Sequence, residues 1–395
     1  MKNQLLHTPE GVRDIYNEEC ERKIILEGRL LSVMKSYGYH PIQTPTFEFF
    51  DIFGKEIGTT PSKDLYKFFD REGNTLVLRP DITPSIARCA SKYYMEQAIP
   101  IRLCYTGNTF RNNSSYQGRL KENTQSGAEL IGDGSVEADA EMLALSAQLL
   151  QAAGLKEFQL SVGHADFLRG LFEAADLEED VMDEIRNLLL NRNLYGVQEV
   201  VEKHVTDENL KQLFGLLTDV MLSKEKITAA KTWADDFPRV LNALTRLEQL
   251  DELLELYKIH KYVSYELAMI SGFNYYTGII FAGYTFGSGE AIVNGGRYDN
   301  LLKSFGKSAP SIGFAVVINQ LMAALQRQNV RIPFENTTRW FVYSEQYRQD
   351  AIKDAQVLRS RGEQVELMPL TEQNTRDVYE KYAEENHIQD IIFYM

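Results

Sequence analysis

The sequence predicts an α+β protein: an antiparallel sheet with flanking helices, followed by a small C-terminal α/β domain. Two pairs of strand-like segments, 65–69 with 75–78 and 101–106 with 128–131, are joined by polar, glycine-containing connections typical of antiparallel strands. A stretch from about 166 to 258 is charged, helical in period and poor in strand signals, which indicates an inserted helical subdomain. After Pro333 the pattern becomes β-α-β-α-β, which is typical of an α/β module.

The first helix is predicted over about 18–37, because apolar residues recur there at three- and four-residue spacing and Gly38 follows. Thr83 and Pro84 predict the start of another helix, with threonine at the cap and proline at the first helical position. The polar cap and the proline ring both suit a helix N-terminus, where backbone N–H groups lack partners.

Further elements follow in order, and they set the predicted domain boundary. A helix is expected at 137–153 and a strand at 158–162, and the later elements are strands at 262–269, 278–286 and 290–293, a glycine turn at 294–296 and a closing helix at 312–328. The proline-containing segment that follows predicts two domains, at 1–328 and 329–395.

Composition excludes several classes of function. The chain has 395 residues, 44% hydrophobic content and a formal net charge of −14. That charge argues against a large polyanion as an obligatory partner, because nucleic-acid binding depends on neutralising phosphates. No run of eighteen apolar residues occurs and residues 1–16 contain no apolar signal-peptide core, so we expect a protein that neither spans a membrane nor is secreted.

The cysteines and histidines predict neither disulfides nor a metal site. Three scattered cysteines show no disulfide or metal-ligand spacing, and we expect them to be small reduced residues of a cytoplasmic protein. The six histidines are far apart in sequence. We therefore expect no metal and no cofactor.

Four separated motifs, in order, resemble the catalytic core of histidyl-tRNA synthetases, which are class II aminoacyl-tRNA synthetases. They cover residues 58–88, 104–132, 269–278 (MISGFNYYTG) and 295–314 (GGRYDNLLKSFGKSAPSIGF), within a resemblance that extends over roughly 5–325. The resemblance implies a class II synthetase-like antiparallel sheet backed by helices, usually in a dimer.

The amino-acid side of that site largely carries over. The resemblance implies histidine-binding roles for seven residues: Asp81, Thr83, Arg111, Gln125, Glu129, Tyr275 and Tyr276. Carboxylate and amide oxygens suit an ammonium, and a Glu–Tyr pair suits an imidazole, which offers one donor and one acceptor.

The ATP side does not carry over. Ser271 stands where the family keeps an arginine, Asn113 replaces a glutamate, and Gln320 replaces the arginine that packs on adenine. Asn274 and Val317 also depart from the pattern. Adenylate formation depends on such preorganised cations, so we expect no synthetase activity and no catalytic residue.

Two arginines have open interpretations. Arg111 either holds the carboxylate of a ligand or pairs with an acidic neighbour, and the sequence favours neither. For Arg297 a turn-stabilising role is favoured over a ligand role.

The C-terminal segment resembles a shortened anticodon-binding domain. Residues 338–395 contain 7 Lys/Arg and 11 Asp/Glu, so this module is acidic and tRNA is not an expected partner.

A retained histidine pocket, lost ATP chemistry and a shortened tail together resemble the ATP phosphoribosyltransferase regulatory subunits. That resemblance implies a non-catalytic subunit of the first step of histidine biosynthesis. It would associate with a short-form catalytic subunit in a hetero-octamer, be required for activity and mediate feedback inhibition by histidine. Two alternatives remain open at this stage: an active histidyl-tRNA synthetase, and another synthetase-derived amino-acid sensor.

Overall fold

The computed structural model describes residues 6–54, 60–94, 96–113, 120–219, 221–269, 276–334, 336–385, 388 and 390–395. The chain divides into two compact units, Met1–Ile332 and Pro333–Met395, and each is described separately below.

The larger unit is built on a mostly antiparallel sheet whose strand order is β1-β5-β6-β11-β10-β9-β7-β8. These strands are β1 (His40–Pro41), β5 (Ile101–Phe110), β6 (Glu122–Ile131), β7 (Gln159–His164), β8 (Val263–Tyr265), β9 (Ile279–Tyr284), β10 (Val293–Arg297) and β11 (Ser311–Val317). A separate sheet of order β2-β4-β3 is formed by β2 (Phe47–Phe49), β3 (Lys67–Phe69) and β4 (Thr75–Leu78). The predicted hairpin of 65–69 with 75–78 therefore forms, as β3 and β4.

Ten helices are described in the larger unit. They are α1 (Asn17–Ser36), α2 (Thr83–Tyr93), α3 (Val136–Ala153), α4 (Ala165–Ala174), α5 (Glu179–Leu190), α6 (Leu194–His204), α7 (Glu208–Gly215), α8 (Lys224–Ala230), α9 (Pro238–Leu256) and α10 (Ile318–Arg327). Helices α4–α9 occupy the stretch for which the sequence predicted a helical insertion.

The two faces of the main sheet are buried in different ways. One face packs against α1, α3 and the inserted helices in a large apolar core, to which α1 contributes the fully buried Leu26, Leu30 and Met34. The opposite face carries a smaller buried cluster, which includes Ile82, Tyr105, Tyr276 and Tyr298. The aromatic hydroxyls on this second face make it the more polar of the two.

The start of α2 differs from the prediction. Ile82 is the cap residue, and Thr83 and Pro84 occupy the first helical turn. The Asp81 carboxylate accepts the Ile82 N–H at 2.7 Å, which leaves the Thr83 hydroxyl available for another partner. A threonine before proline is a good capping signal, but here a tertiary hydrogen bond determines its position.

Two other sequence predictions are wrong, both around glycines. Asn294, Gly295 and Gly296 do not form a turn; they lie inside β10, paired with β9 and β11. Residues 312–317 belong to β11 rather than to the closing helix, which begins at Ile318 as α10. In addition, β8 is shorter than the predicted strand at 262–269 and ends at Tyr265.

The smaller unit contains a parallel sheet of order β13-β12-β14. Its elements are β12 (Arg339–Tyr343), α11 (Arg348–Ser360), β13 (Val365–Pro369), α12 (Arg376–Glu385) and β14 (Asp390–Tyr394). Trp340 and Phe341 lie in separate apolar clusters, which pack with α12 and α11 respectively.

Within the described part of the chain, no helix is both long and apolar enough to cross a bilayer.

Candidate functional site

Strand β6 carries the centre of the candidate site on one face. Alternate residues of a strand point to the same side, so Gln125, Gly127 and Glu129 share a face. Ala128 and Leu130 face the large apolar core on the other side. The register places Glu129 opposite Leu103 of β5 and Gly313 of β11.

Glu129 is fully buried and its two oxygens have different partners. The Thr83 hydroxyl donates to Oε1 at 2.7 Å, and the Tyr298 hydroxyl donates to Oε2 in a short hydrogen bond. Thr83 comes from the first turn of α2 and Tyr298 from the residue after β10, so two distant segments of the chain fix this carboxyl group.

Gly313 makes room for the Glu129 carboxyl. A Cβ atom at position 313 would lie 1.6 Å from Glu129 Oε2 and 2.9 Å from the Ala128 carbonyl oxygen. No side chain can be placed there without moving the carboxyl. A glycine on β11 is therefore part of the site, although it contributes no functional group.

Burial dominates the electrostatics of the cluster. It raises the pKa of Glu129 to about 8, although the hydrogen bonds from Tyr298 and Thr83 act in the opposite direction, and the nearby Asp81 raises it further. Burial also raises the pKa values of Tyr298 and Tyr105, and the Glu129 carboxylate adds to both shifts. At neutral pH the Glu129 carboxyl is therefore mostly protonated in the ligand-free protein.

Tyr276 lies at the edge of the same cluster. It is buried, and its ring would be 2.8 Å from a Cβ atom at Gly296, so the glycine permits the close approach of ring and strand. The electrostatic influence of Tyr276 on Tyr105 and Tyr298 places the three phenols near one another. Tyr275 lies outside the described residues.

Arg111 directly follows the last residue of β5, and Gln125 lies near the start of β6. The Gln125 side chain is partly buried, and its carbonyl oxygen is buried without a hydrogen-bond partner among the described residues. Arg111 donates from Nε to the Pro80 carbonyl oxygen at 3.3 Å, which ties it to the backbone just before Asp81. Asp81 is itself buried, and its Oδ1 accepts backbone N–H groups at the start of α2.

Apart from Arg111, which is retained, the described positions that would handle ATP carry uncharged side chains. Gln320, in the first turn of α10, lies 3.5 Å from Glu290. Val317 ends β11 opposite Gln125. Ser271 and Asn274 lie outside the described residues, as do the central residues of the loop after Asn113.

Arg297 has a structural role. It is buried and donates from Nε and Nη2 to Asp139 Oδ1 at 2.9 and 2.6 Å. Arg246 of α9 donates to the other oxygen of Asp139 at 2.7 Å. This buried ionic junction joins β10, α3 and the inserted helices. Arg297 therefore has structural contacts, but they do not stabilise the predicted turn, because residues 294–296 lie in β10.

Two cavities lie in or against the inserted helices rather than at this cluster. One of about 580 Å³ is lined by acidic and amide side chains of α5 and the start of α6, including Asp180 and Asn193. The other, of about 220 Å³, lies between Leu190 and Tyr284 and includes Arg192 and Glu266. Neither contains a residue that the sequence assigned to the site.

The structure thus brings together Asp81, Thr83, Glu129 and Tyr276 of the predicted site, and places Gln125 on the same strand face. Sequence reasoning missed Tyr298 and Gly313. Both lie inside the quoted segment at 295–314, where attention to every polar or glycine residue would have found them.

Comparisons with known proteins agree with this geometry. The family model for histidyl-tRNA synthetase matches residues 11–321. A crystal structure described as an ATP phosphoribosyltransferase regulatory subunit/histidyl-tRNA synthetase from Bacillus halodurans has a TM-score of 0.86 and 31% sequence identity, covering 99% of this chain and 98% of that chain. Fold and site together define a histidyl-tRNA synthetase-like protein with a class II core.

Two relatives narrow the class further, and both are named ATP phosphoribosyltransferase regulatory subunit. The protein of Acetivibrio thermocellus is 39% identical over 92% of this chain and 86% of its own length. That of Ruminiclostridium cellulolyticum is 38% identical over 100% of this chain and 93% of its own. The chain belongs to the family of ATP phosphoribosyltransferase regulatory subunits.

Proposed function

We propose that this chain is the subunit through which histidine controls ATP phosphoribosyltransferase, and that the short-form catalytic subunit requires it for activity. The observation that carries the proposal is the buried Glu129 cluster. Its carboxyl is fixed by Thr83 and Tyr298 and accommodated by Gly313, while the described ATP-side positions carry Asn113, Val317 and Gln320. On this proposal a recognition site is retained, while two of the arginines for adenylate chemistry are replaced by Ser271 and Gln320 and a glutamate by Asn113.

Histidine fits the cluster by its chemistry. We assign its imidazole to Glu129 and Tyr276, its ammonium to Asp81, Thr83 and Gln125, and its carboxylate to Arg111, with Tyr275 as a further binding residue. The orphaned acceptor of Gln125 supports the ammonium assignment, because a buried carbonyl oxygen without a partner costs roughly 1–3 kcal/mol.

Inhibition follows if histidine binds one state of the complex better than the other. A ligand shifts an equilibrium only by its difference in affinity for the two states. A hundredfold preference for the inhibited state corresponds to about 2.7 kcal/mol, which is an ordinary coupling energy. Histidine bound by this chain then reduces turnover in the catalytic partner.

We further propose that the chain forms a dimer within a hetero-octamer of regulatory and catalytic subunits in the cytoplasm. The small sheet β2-β4-β3 supports self-association, because Phe47, Phe49 and Phe69 are 52, 55 and 72% exposed. Exposed aromatic residues so closely spaced are typical of an interface. The acidic C-terminal unit supports a protein partner rather than tRNA.

The decisive experiment is a phosphoribosyltransferase assay of the short-form catalytic subunit with and without this chain, titrated with histidine. We expect low activity without the chain, activation with it, and inhibition by histidine only in its presence. Inhibition of the catalytic subunit alone would refute the proposal.

A matched pair of variants locates the histidine site. Tyr276→Phe removes one buried hydroxyl and should raise the histidine concentration for half inhibition about tenfold, the effect of losing roughly 1.4 kcal/mol. Tyr195→Phe removes an exposed hydroxyl on α6 and should leave it unchanged. If histidine inhibits both variants equally, the histidine site lies elsewhere in the chain. Assembly with the catalytic subunit, measured by size-exclusion chromatography, should be normal in both variants.

The synthetase alternative has its own test. Histidine-dependent exchange between ATP and pyrophosphate should be absent for the purified chain, and we expect Ser271→Arg alone not to restore it, because Asn113 and Gln320 remain. Measurable exchange in either protein would contradict the loss of adenylate chemistry.

A further inference from the structure

Glu129 is a buried carboxyl group without a cationic partner. Among the described residues its hydrogen bonds come from the Thr83 and Tyr298 hydroxyls, both of which are neutral donors. Burying an ionised carboxylate costs free energy unless a positive charge pairs with it. Without such a partner, burial favours the protonated carboxyl group. The ligand-free site therefore holds either a proton or an unfavourable negative charge.

The groups that face Glu129 in the described part of the chain do not supply a positive charge. Asp81 approaches it from the start of α2, and it adds negative charge. Two phenols on the same face of the sheet, Tyr105 and Tyr298, interact with Glu129, and burial raises the pKa of both. Gly313 of β11 contributes no side chain. Among the described residues, the side chains that donate hydrogen bonds to the Glu129 carboxyl are thus neutral hydroxyls.

We infer that the site binds histidine with both its ammonium and its imidazole ring positively charged, the ammonium facing Asp81 and the imidazolium facing Glu129. The proton on the ring comes from the Glu129 carboxyl at neutral pH. This inference rests on the proposed function and specifies the ligand form that the site selects.

The proton balance follows from two ionisation equilibria. The Glu129 pKa is about 8 in the ligand-free protein, and a free imidazole has a pKa of about 6.5. Near pH 7 the protein holds a neutral carboxyl and the free ligand a neutral ring, so a single proton is present before and after binding. Binding converts a neutral pair into an ion pair without exchange of protons with solvent.

Outside that window binding must exchange a proton. Above about pH 8 the ligand-free Glu129 is ionised and the free ring is neutral, so the complex takes up a proton from solvent. Below about pH 6 both groups are protonated, so a proton is released. Histidine affinity should therefore be level between about pH 6.5 and 8 and decrease on both sides, approaching tenfold per pH unit.

Isothermal titration calorimetry in pairs of buffers with different ionisation enthalpies measures the proton number directly. For the full chain with histidine we expect release at pH 5.5, a value near zero at pH 7 and uptake at pH 8.8. Glu129→Gln is the control, because it keeps the size of the side chain and cannot ionise. The titration of the histidine ammonium contributes equally to both proteins and cancels in their difference, and a thermal melt verifies that the variant is folded.

A ring analogue tests the same point in the unmodified protein. An alanine carrying a 1,2,4-triazole ring has nearly the shape of histidine but a far less basic ring. We expect it to bind at least tenfold more weakly than histidine at pH 7, and the difference to shrink in Glu129→Gln.

The outcomes separate this inference from the proposed function. If the two proteins show the same proton number at pH 8.8, where only the ionised Glu129 of the natural chain requires proton uptake, or if the triazole analogue binds equally well, the charged-ring inference is wrong and the sensor function stands. If histidine does not bind the natural chain at all, the proposed function fails first.

Discussion

Replacing Gly313 with alanine is the most direct perturbation of the Glu129 cluster. The added Cβ would lie 1.6 Å from Glu129 Oε2 and 2.5 Å from its Cδ. Contacts below 3.0 Å are essentially not seen, so the carboxyl must move by at least about 1.4 Å. Because Oε2 accepts a hydrogen bond from Tyr298, that movement breaks the bond and takes this donor away from the buried carboxyl oxygen.

The expected magnitude combines two costs. A buried polar group left without a partner costs about 1–3 kcal/mol. Overpacking a close-packed region adds about 1–3 kcal/mol. Gly313→Ala should thus lower the free energy of unfolding by about 2–6 kcal/mol and weaken histidine binding at least tenfold.

Urea denaturation and calorimetry measure both effects, and Gly289→Ala is the matched control. Gly289 is exposed and its added Cβ would have no neighbour within 4 Å, so both quantities should be unchanged. If Gly313→Ala changes unfolding by less than about 0.5 kcal/mol and keeps the affinity for histidine, the carboxyl is not held as described.

Three further predictions concern stability. Burial lowers the pKa of His164 to about 4, so the folded state binds fewer protons than the unfolded state between pH 6.5 and about 4, and stability should decrease as the pH falls through that range. His164→Asn, which can still accept the Asp166 N–H, should abolish up to about 3 kcal/mol of that decrease in urea melts at pH 4.5 and 7, and an unchanged pH dependence would contradict the assignment. Asp139→Asn removes the fully buried counter-charge of Arg297 and leaves it only the partly exposed Asp299, and should cost about 3–5 kcal/mol, whereas Glu173→Gln in an exposed pair should cost less than about 1 kcal/mol in the same denaturation assay. Gly28→Ala, inside α1 with open space around the new methyl, should raise the free energy of unfolding by about 0.5–1 kcal/mol in urea denaturation, and a loss of stability would show that the helix cannot accept a side chain there.

Local signals were sufficient where an element depends mainly on its own sequence. The α1 stripe, the β3–β4 hairpin and the β-α-β-α-β order after Pro333 all appear as predicted. In each case periodicity and turn residues point to the same structure, so no long-range contact has to decide between alternatives.

Local signals failed where one residue type serves two purposes. Gly295 and Gly296 resemble a turn, yet they lie in a strand because the Phe281 and Tyr276 rings pack too close for a side chain. Thr83 resembles a helix cap, yet its hydroxyl binds Glu129, a residue 46 positions away. Only the tertiary structure supplies these partners.

The sequence predicted which residues belong to the candidate site, but not which hydrogen bonds join them. Glu129 was expected to pair with Tyr276, and that assignment stays a prediction. The phenol whose hydrogen bond to Glu129 the structure defines belongs to Tyr298. The residue type alone could not distinguish Tyr276 from Tyr298, because both lie next to strands of the same sheet.

Arg297 and Tyr298 are consecutive residues with partners on different parts of the molecule. Arg297 meets Asp139 and, through it, Arg246 of the inserted helices, whereas Tyr298 meets Glu129. Arg297, which contacts the inserted helices through Asp139, is therefore adjacent in sequence to Tyr298 of the Glu129 cluster. We therefore expect substitutions that loosen α9 to disturb the geometry of the Glu129 cluster without contacting it.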